Sequence, residues 1–328
     1  MKKIIGMFSI ALILFSCVGK DAVVLQNSIG KDNRVLIVTK ASSWEGEIGN
    51  EIRRFMSEAM VGLPQPEAYL TLSQVAPGGF NRMMKLTRNM LVIEESNKEN
   101  FTISTNKYAA PQMVVYLSAK DKGAIVQLLK THDKEIIKAF KDSDLKVVQE
   151  RFENKKLDDA QYKTLQNLAI SLTIPKDYRT VDDTGEFLWL RQHIMSGIAR
   201  GTGSNNILVY SFPLTNEMAV LENISAMRDT IGAKYIPGSD PETMHMITER
   251  AYTPFTFDAE IDGKKAYETR GKWEVENDFM AGPFLNYTIL DKKNNRVIVF
   301  EGFTYAPSVN KREFVFELEA IAKSMKIK

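Results

Sequence analysis

The stretch FLNYTILDKKNNRVIVFEGFTY, residues 284–305, contains two apolar runs that are separated by a short polar segment. In the first run Leu285, Tyr287 and Ile289 alternate with polar residues, which is the period of a strand with one buried face. Lys293-Asn294-Asn295 supply residues that favour a turn, and the second run is rich in β-branched and aromatic side chains. The stretch therefore predicts an antiparallel β-hairpin.

Strand patterns surround this hairpin throughout the second half of the chain. LAISLTIP, residues 168–175, alternates apolar and polar positions until Pro175 stops it, and Asp262-Gly263 is a strong hairpin turn. The chain closes with a helical pattern that carries Phe314 and Leu318 on one face. The other strand candidates are residues 186–194, 207–212, 246–250, 255–260 and 265–276.

The first half begins with RVLIVTK, residues 34–40, an apolar run that predicts a buried strand. A helix is expected next, with Ser42 and Glu45 as its capping box. A long helical region follows from residue 118, with a break expected at residues 142–144. The remaining strand candidates of this half are residues 69–72, 89–95 and 112–117.

Both halves thus combine strands with helices that would pack on one side. This pattern predicts an α+β fold made of two α/β-sandwich-like halves with mixed or antiparallel sheets. We place the N-terminal α+β half at residues 34–165 and the C-terminal α+β half at residues 166–328. A chain of this length can bury a sizeable core without disulfides.

The N-terminus has the pattern of a secretory signal. A basic head, Met1-Lys2-Lys3, precedes an apolar run over residues 4–15 that is too short to span a bilayer. The ending Leu14-Phe15-Ser16-Cys17 resembles a bacterial lipobox, in which the peptidase cuts before the cysteine and the thiol receives lipid. We therefore predict a signal peptide at residues 1–16 and lipidation of Cys17, the sole cysteine of the chain.

Residues 17–33 are predicted to be a lipidated tether, because they mix small and polar residues with few large apolar ones. Val18 follows the cysteine, and by analogy with enteric sorting rules this favours the outer membrane over the inner one. The expected location is the cell envelope, with the membrane bound through N-terminal acyl chains such as palmitate. Periplasmic and surface-exposed orientations both stay open.

The charge balance argues against one class of partner. The chain has 43 basic and 41 acidic side chains, and removal of Lys2 and Lys3 with the signal leaves 41 of each. Proteins that bind nucleic acid carry a basic face, which so balanced a composition does not predict. We expect no nucleic-acid partner.

The sequence lacks the usual catalytic and cofactor motifs. It has no HExxH or GxSxG motif, and His132, His193 and His245 lie too far apart in sequence to suggest a metal site. The glycine-rich residues 197–205 favour a mobile hairpin loop over a phosphate-binding loop, because no third glycine and no following helix complete the motif. We expect no metal and no cofactor, and enzymatic activity stays an open question.

The densest group of unusual residues lies between residues 249 and 284. Strand alternation places Arg270 and Glu274 on one face as an exposed ion pair, and Trp273 on the other face as a core residue. An arginine fork beside an aromatic ring equally suits a bound carboxylate or sugar. Glu274 with Asp278 offers the paired acids that glycoside hydrolysis needs. The candidate interaction surface comprises Arg270, Trp273, Glu274, Arg250 and Trp189.

Several stretches of the second half together resemble a family of Bacteroidota lipoproteins, the domain of unknown function 4837. The resemblance extends from Arg34 to the C-terminus, and it implies an envelope lipoprotein without implying an activity or catalytic residues. The stretches are ISLTIPKDYR (170–179), FLWLRQ (187–192), ILVYSFP (207–213), KYIPGSDPETMHMITE (234–249), YETRGKWEVENDFMAGPFLNYTILD (267–291) and RVIVFEGFTYAP (296–307).

These observations favour a binding or accessory module of the cell envelope. Its partner would be another envelope protein or cell-wall or glycan material, engaged through the second half. The alternative is an envelope hydrolase that acts on glycan or peptide through carboxylates. A purely structural role is the third interpretation.

Overall fold

The computed structural model of the chain describes residues 24–194 and 203–328. The predicted signal peptide and the predicted lipidation site Cys17 lie outside the described residues, as does most of the glycine-rich segment 197–205. Within the described ranges, every helix is too short or too polar to cross a membrane.

The described residues form an α+β fold, which confirms the predicted class. The strands are β1 Gln26–Asn27, β2 Arg34–Val38, β3 Thr71–Val75, β4 Asn89–Glu95, β5 Asn100–Thr105, β6 Ala109–Ala110, β7 Met113–Ala119, β8 Ile170–Ser171, β9 Arg179–Asp183, β10 Phe187–Ile194, β11 Gly203–Pro213, β12 Met246–Thr248, β13 Phe255–Ile261, β14 Lys264–Val275, β15 Ala281–Asp291, β16 Arg296–Tyr305 and β17 Lys326–Ile327. The helices are α1 Ala41–Trp44, α2 Glu47–Met56, α3 Lys122–Glu153, α4 Lys163–Asn167, α5 Glu217–Glu222, α6 Ile224–Tyr235 and α7 Arg312–Ala322.

The first half is built on a five-stranded sheet in the order β3-β2-β4-β7-β5. Neighbouring strands are parallel except for β5, which runs antiparallel to β7. Helices α2 and α3 cover one face, where Ile37, Leu91 and Val115 are fully buried. The other face is covered by loop residues such as Phe80 and Tyr108 instead of by helices.

The second half is built on an eight-stranded antiparallel sheet in the order β12-β14-β15-β16-β11-β10-β9, with β13 pairing alongside β14. Its centre is the predicted hairpin of residues 284–305, now β15 and β16, in which Phe284 pairs with Phe303 and Asp291 with Arg296. Asn295 closes the turn in the left-handed region, with φ of 50°. Helix α7 packs on one face and helices α5 and α6 on the other, so this sheet carries helices on both sides.

Two local predictions about helices are wrong. Ser42 and Glu45 form no capping box, because Ser42 lies inside α1, which begins at Ala41, and Glu45 follows the last residue of that helix. The extended backbone of Gly46 then separates α1 from α2. The long helix does not break at residues 142–144 but runs from Lys122 to Glu153. Asp144 is fully buried there and accepts hydrogen bonds from the Asn33 backbone N–H (2.8 Å) and from Asn89 Nδ2 (3.0 Å), so it stabilises the packing of the helix instead of ending it.

Helix α3 takes part in the cores of both halves. Its first turns bury Ile125 and Ile136 against the five-stranded sheet, and its last turns bury Val148 and Phe152 in the core beneath the eight-stranded sheet. The two halves therefore share a structural element, and the exact domain limits at residues 34, 165 and 166 stay a prediction.

The segment 17–33 is not a free tether over its whole length. Strand β1 pairs with β6, and the Ile29 backbone N–H donates to the Leu86 carbonyl oxygen at 2.8 Å. The chain is thus tied to the body from Gln26 onward, because these backbone groups find partners that a polar composition does not reveal.

Candidate functional site

A cleft of about 340 Å³ opens at one end of the eight-stranded sheet, on the face that α6 covers. Its volume falls in the range of small-ligand sites, which is roughly 300–1,000 Å³. Its floor comes from the ends of β10, β14 and β16 and the start of β11, and its wall comes from the loop that follows α6. The lining residues used below are Trp189, Arg191, Asn206, Trp273, Asp278, Phe303 and Tyr305.

Strand register brings these side chains together. Trp189, Arg191 and His193 alternate along β10 and therefore point to the same face of the sheet. Arg191 pairs with Asn206 of β11, and Asn206 pairs with Phe303 of β16. Residues that lie more than 100 positions apart in sequence thus become neighbours on one surface.

The aromatic rings of the cleft are held in fixed positions. Trp273 packs edge-on against Phe303, with 5.4 Å between ring centroids, and lies 6.4 Å from Tyr305. Both indole N–H groups donate internally, from Trp189 to Asn206 Oδ1 at 3.1 Å and from Trp273 to the Thr304 carbonyl oxygen at 3.3 Å. These rings consequently form a rigid apolar lining in which both indole N–H groups are already satisfied.

Arg191 is a cation of the cleft with unused hydrogen-bonding capacity. Its Nε donates to Asn206 Oδ1 at 3.0 Å, and its guanidinium lies 4.7 Å from the centre of the Trp189 ring. It forms no ion pair with any residue that the structure describes, and residues 195–202 contain no acidic side chain. Burial lowers the pKa of Arg191 from its usual value, although an arginine keeps its charge at neutral pH. A half-buried cation without a carboxylate partner can bind an anionic group of a ligand.

The cleft does not contain the predicted pair of catalytic acids. Asp278 lines it, but Glu274 does not, because Glu274 lies on the opposite face of β14 and accepts a hydrogen bond from the Arg250 backbone N–H at 3.3 Å. Asp278 is the one carboxylate among the described lining residues. Glycoside hydrolysis needs two carboxyl groups across the scissile bond, and this cleft does not supply them.

The five residues of the predicted interaction surface lie in three places. Trp189 and Trp273 are buried, at 7% and 2% exposure, and line the cleft. Arg250 and Glu274 lie together near the sheet edge, where Arg250 is exposed and pairs with Glu276. Arg270 is 2% exposed, so the prediction of an exposed Arg270–Glu274 pair is wrong.

Arg270 instead belongs to a buried network between the two halves. Its Nη2 lies 2.6 Å from Glu319 Oε2 of α7, and its Nε lies 2.6 Å from Glu268 Oε1. Lys141 of α3 reaches Glu319 Oε1 at 2.7 Å. Burial alone would raise the pKa of Glu319, but Lys141 and Arg270 hold that pKa well below its usual value. The network stabilises the contact between the halves and is closed to an external partner.

Sequence reasoning overlooked Arg191 and Asn206. The spacing of Trp189, Arg191 and His193 along one strand could have identified the face of β10 that carries the cleft. The contribution of β14 and β16 could not be identified in this way, because it depends on the strand order of the sheet.

The sequence matches two family models, both described as domains of unknown function. DUF4837 matches residues 157–324 and DUF8532 matches residues 28–153. The predicted resemblance to the first family is thus confirmed, but its match covers the second half instead of the chain from Arg34 onward. A Bacteroidota origin stays a prediction. No curated protein matches the sequence.

Two solved structures show a weak likeness to the fold. LpqN, described as involved in cell envelope biogenesis of Mycobacterium tuberculosis, is 12% identical with a TM-score of 0.31, over 48% of this chain and 83% of LpqN. A protein of Bacteroides thetaiotaomicron VPI-5482 is 9% identical with a TM-score of 0.25, over 48% of this chain and 45% of that protein. Likenesses this weak support no statement about function.

Proposed function

From the premise that this chain belongs to the DUF4837 family, we propose that it is a lipid-anchored binding protein of the cell envelope that captures a carboxylate-bearing glycan in its aromatic cleft. The observation that carries this proposal is Arg191, a half-buried cation beside Trp189 without an acidic partner in the described residues. The cleft supports the accessory role, since its described lining residues offer recognition groups and one carboxylate, that of Asp278.

The cleft chemistry suits an acidic sugar better than a purely apolar ligand. Aromatic side chains pack against the apolar faces of sugar rings, and among the described aromatic residues of the lining Tyr305 is partly exposed for such a contact. The guanidinium forms paired hydrogen bonds with a carboxylate. Because Asn206 Oδ1 binds both Trp189 Nε1 and Arg191 Nε, the guanidinium is held in place before a ligand arrives. Such preorganisation reduces the entropic cost of binding.

The anchor part of the proposal rests on the sequence of residues 1–17. Cells fed a tagged fatty acid are expected to label the protein through Cys17, and Cys17→Ala is expected to abolish both the label and membrane association. In this proposal the lipid chains supply the affinity for the bilayer. Persistent labelling of Cys17→Ala would contradict the anchor. Fractionation of outer from inner membranes tests the outer-membrane location.

Arg191→Gln is expected to weaken binding of a uronic acid oligosaccharide by about 10- to 100-fold, since a hydrogen-bonded contact to a charged group is worth about 1.5–3 kcal/mol. The measurement is calorimetric titration of the protein without its signal peptide. The same oligosaccharide with its carboxylates reduced to alcohols is expected to bind wild type weakly and to be insensitive to Arg191→Gln.

Arg250→Gln is the matched control, because Arg250 is exposed and lies outside the cleft. It is expected to leave the affinity for the acidic oligosaccharide unchanged. Equal binding of the acidic and reduced sugars, or equal effects of the two substitutions, would show that Arg191 does not recognise a carboxylate.

A further inference from the structure

A second cavity, of about 350 Å³, lies in the first half of the chain, whereas the aromatic cleft lies in the second half. It opens where β2 and β4 end, and it extends towards the first turns of α2 and α3. Its lining includes Val38, Ile48, Phe80, Val92, Ile93 and Ile125, together with the polar residues Thr39, Lys40, Ser43, Glu94 and Glu95.

The topology of the sheet places this cavity at a switch point. From β2 the chain passes through α1 and α2 to β3 on one side of β2, and from β4 it continues to β5 and β7 on the other side. The connections of these adjacent parallel strands therefore diverge, which leaves a crevice outside their carboxyl ends. Open α/β sheets bind ligands in such crevices.

The interior of the cavity is mostly apolar, with a few polar groups at defined places. Ile48 and Ile125 are at most 1% exposed and form part of the wall. Thr39 and Ser43, at 2% and 3% exposure, are the two hydroxyl-bearing residues of the described lining. A hydroxyl can accept as well as donate a hydrogen bond, so these residues suit a polar group at the end of an apolar ligand.

The charged residues at the rim determine which ligand charge the cavity favours. Lys40 Nζ lies 3.4 Å from Glu95 Oε1, and both side chains are partly exposed, at 60% and 34%. Glu94 adds a second carboxylate and accepts a hydrogen bond from Tyr116 Oη. The lining thus has two carboxylates, one lysine and, among its described residues, no arginine. Such a rim repels the phosphates that switch points often bind.

We propose that this switch-point cavity binds a small cationic amine with an apolar or aromatic body, as a second site that is independent of the aromatic cleft. The body of the ligand fills the space among Ile48, Phe80 and Ile125. The ammonium group lies at the rim, where Glu95 attracts it and the Thr39 and Ser43 hydroxyls can accept its hydrogen bonds. Lys40 competes with the ligand for Glu95.

Three probes that share a phenyl group and differ in the charge of their polar group test which ligand charge the cavity favours. They are 2-phenylethylamine, 2-phenylethanol and phenylacetate, titrated into the protein without its signal peptide and followed by NMR chemical shifts. The amine is expected to bind best, the alcohol next and the acid least. No detectable binding of the amine at millimolar concentration, or equal binding of all three probes, would overturn the proposal.

Two charge variants at the rim give effects of opposite sign. Glu95→Gln is expected to weaken amine binding about two- to fivefold, and Lys40→Gln is expected to strengthen it by a similar factor, which is the scale of a partly exposed ion pair. Neither change is expected to alter binding of the alcohol. Both positions lie at the rim, so neither substitution removes a core contact. An amine affinity that is the same in wild type and both variants would overturn the assignment.

Arg191→Gln separates this proposal from the one for the cleft. It is expected to leave the affinity for the amine unchanged, since Arg191 belongs to the second half and does not line this cavity. Loss of amine binding in Arg191→Gln, with the rim variants unaffected, would place the amine in the cleft and refute the switch-point site.

Discussion

Replacing Arg270 with methionine is expected to lower the free energy of unfolding by about 3–5 kcal/mol, the usual cost of removing one partner from a buried ion pair. Arg270 is 2% exposed and contacts two carboxylates, those of Glu268 and Glu319. Methionine replaces much of the apolar stem but none of the charge. Glu319 keeps Lys141 and Lys323 as partners, whereas Glu268 loses its ion-pair partner in a partly buried position.

Urea denaturation followed by tryptophan fluorescence measures this effect. Arg250→Met is the matched control, because Arg250 makes its ion pair from an exposed position and such pairs contribute about 0–1 kcal/mol. A change of less than about 1 kcal/mol for Arg270→Met would mean that the network contributes little to the contact between α7 and the sheet.

Replacing Arg228 with methionine is expected to have a similarly large effect, again about 3–5 kcal/mol. Arg228 and Glu301 are both almost fully buried, and their Nε and Oε1 atoms lie 2.9 Å apart. The guanidinium also lies 4.1 Å from the centre of the Phe284 ring. Because this pair joins α6 to β16, its loss is expected to loosen the loop after α6 and thereby weaken ligand binding in the cleft.

The double variant Arg228→Met/Glu301→Leu separates charge from packing. Replacing both members of a buried ion pair with apolar residues is often neutral, so the double variant is expected to recover most of the stability lost in Arg228→Met. Thermal unfolding and titration with the acidic oligosaccharide are the two measurements. If the double variant is as unstable as the single one, packing on Phe284 accounts for the loss instead of the unpaired Glu301.

The sequence allowed the local parts of this fold to be predicted. Residues 284–305 alternate over a long span and contain a turn, so their hairpin depends on few distant contacts. Asp144 shows the opposite case. Its residue type favours a helix break, but tertiary hydrogen bonds from Asn33 and Asn89 satisfy it within α3.

The candidate site was harder to predict, for a related reason. Strand period assigns Arg270 and Trp273 to opposite faces of β14, but it does not tell which face meets water. Which face of β14 is buried depends on the packing of α7, whose Glu319 lies 49 positions away from Arg270 in the sequence. Likewise, the neighbours of Arg191 come from strands whose order the sequence does not reveal.

Helix α3 bears on how this protein can evolve by exchange of gene segments. The helix ends at Glu153, where the DUF8532 match ends, yet Leu145, Val148 and Phe152 complete the core of the second half. A recombination that transferred residues 157–324 alone would leave that core without these side chains and expose the apolar surface that they cover. We therefore expect the two segments to be inherited together. Beside an unrelated domain, the second segment would lack the core side chains of α3, and the last turns of α3 would expose them to solvent.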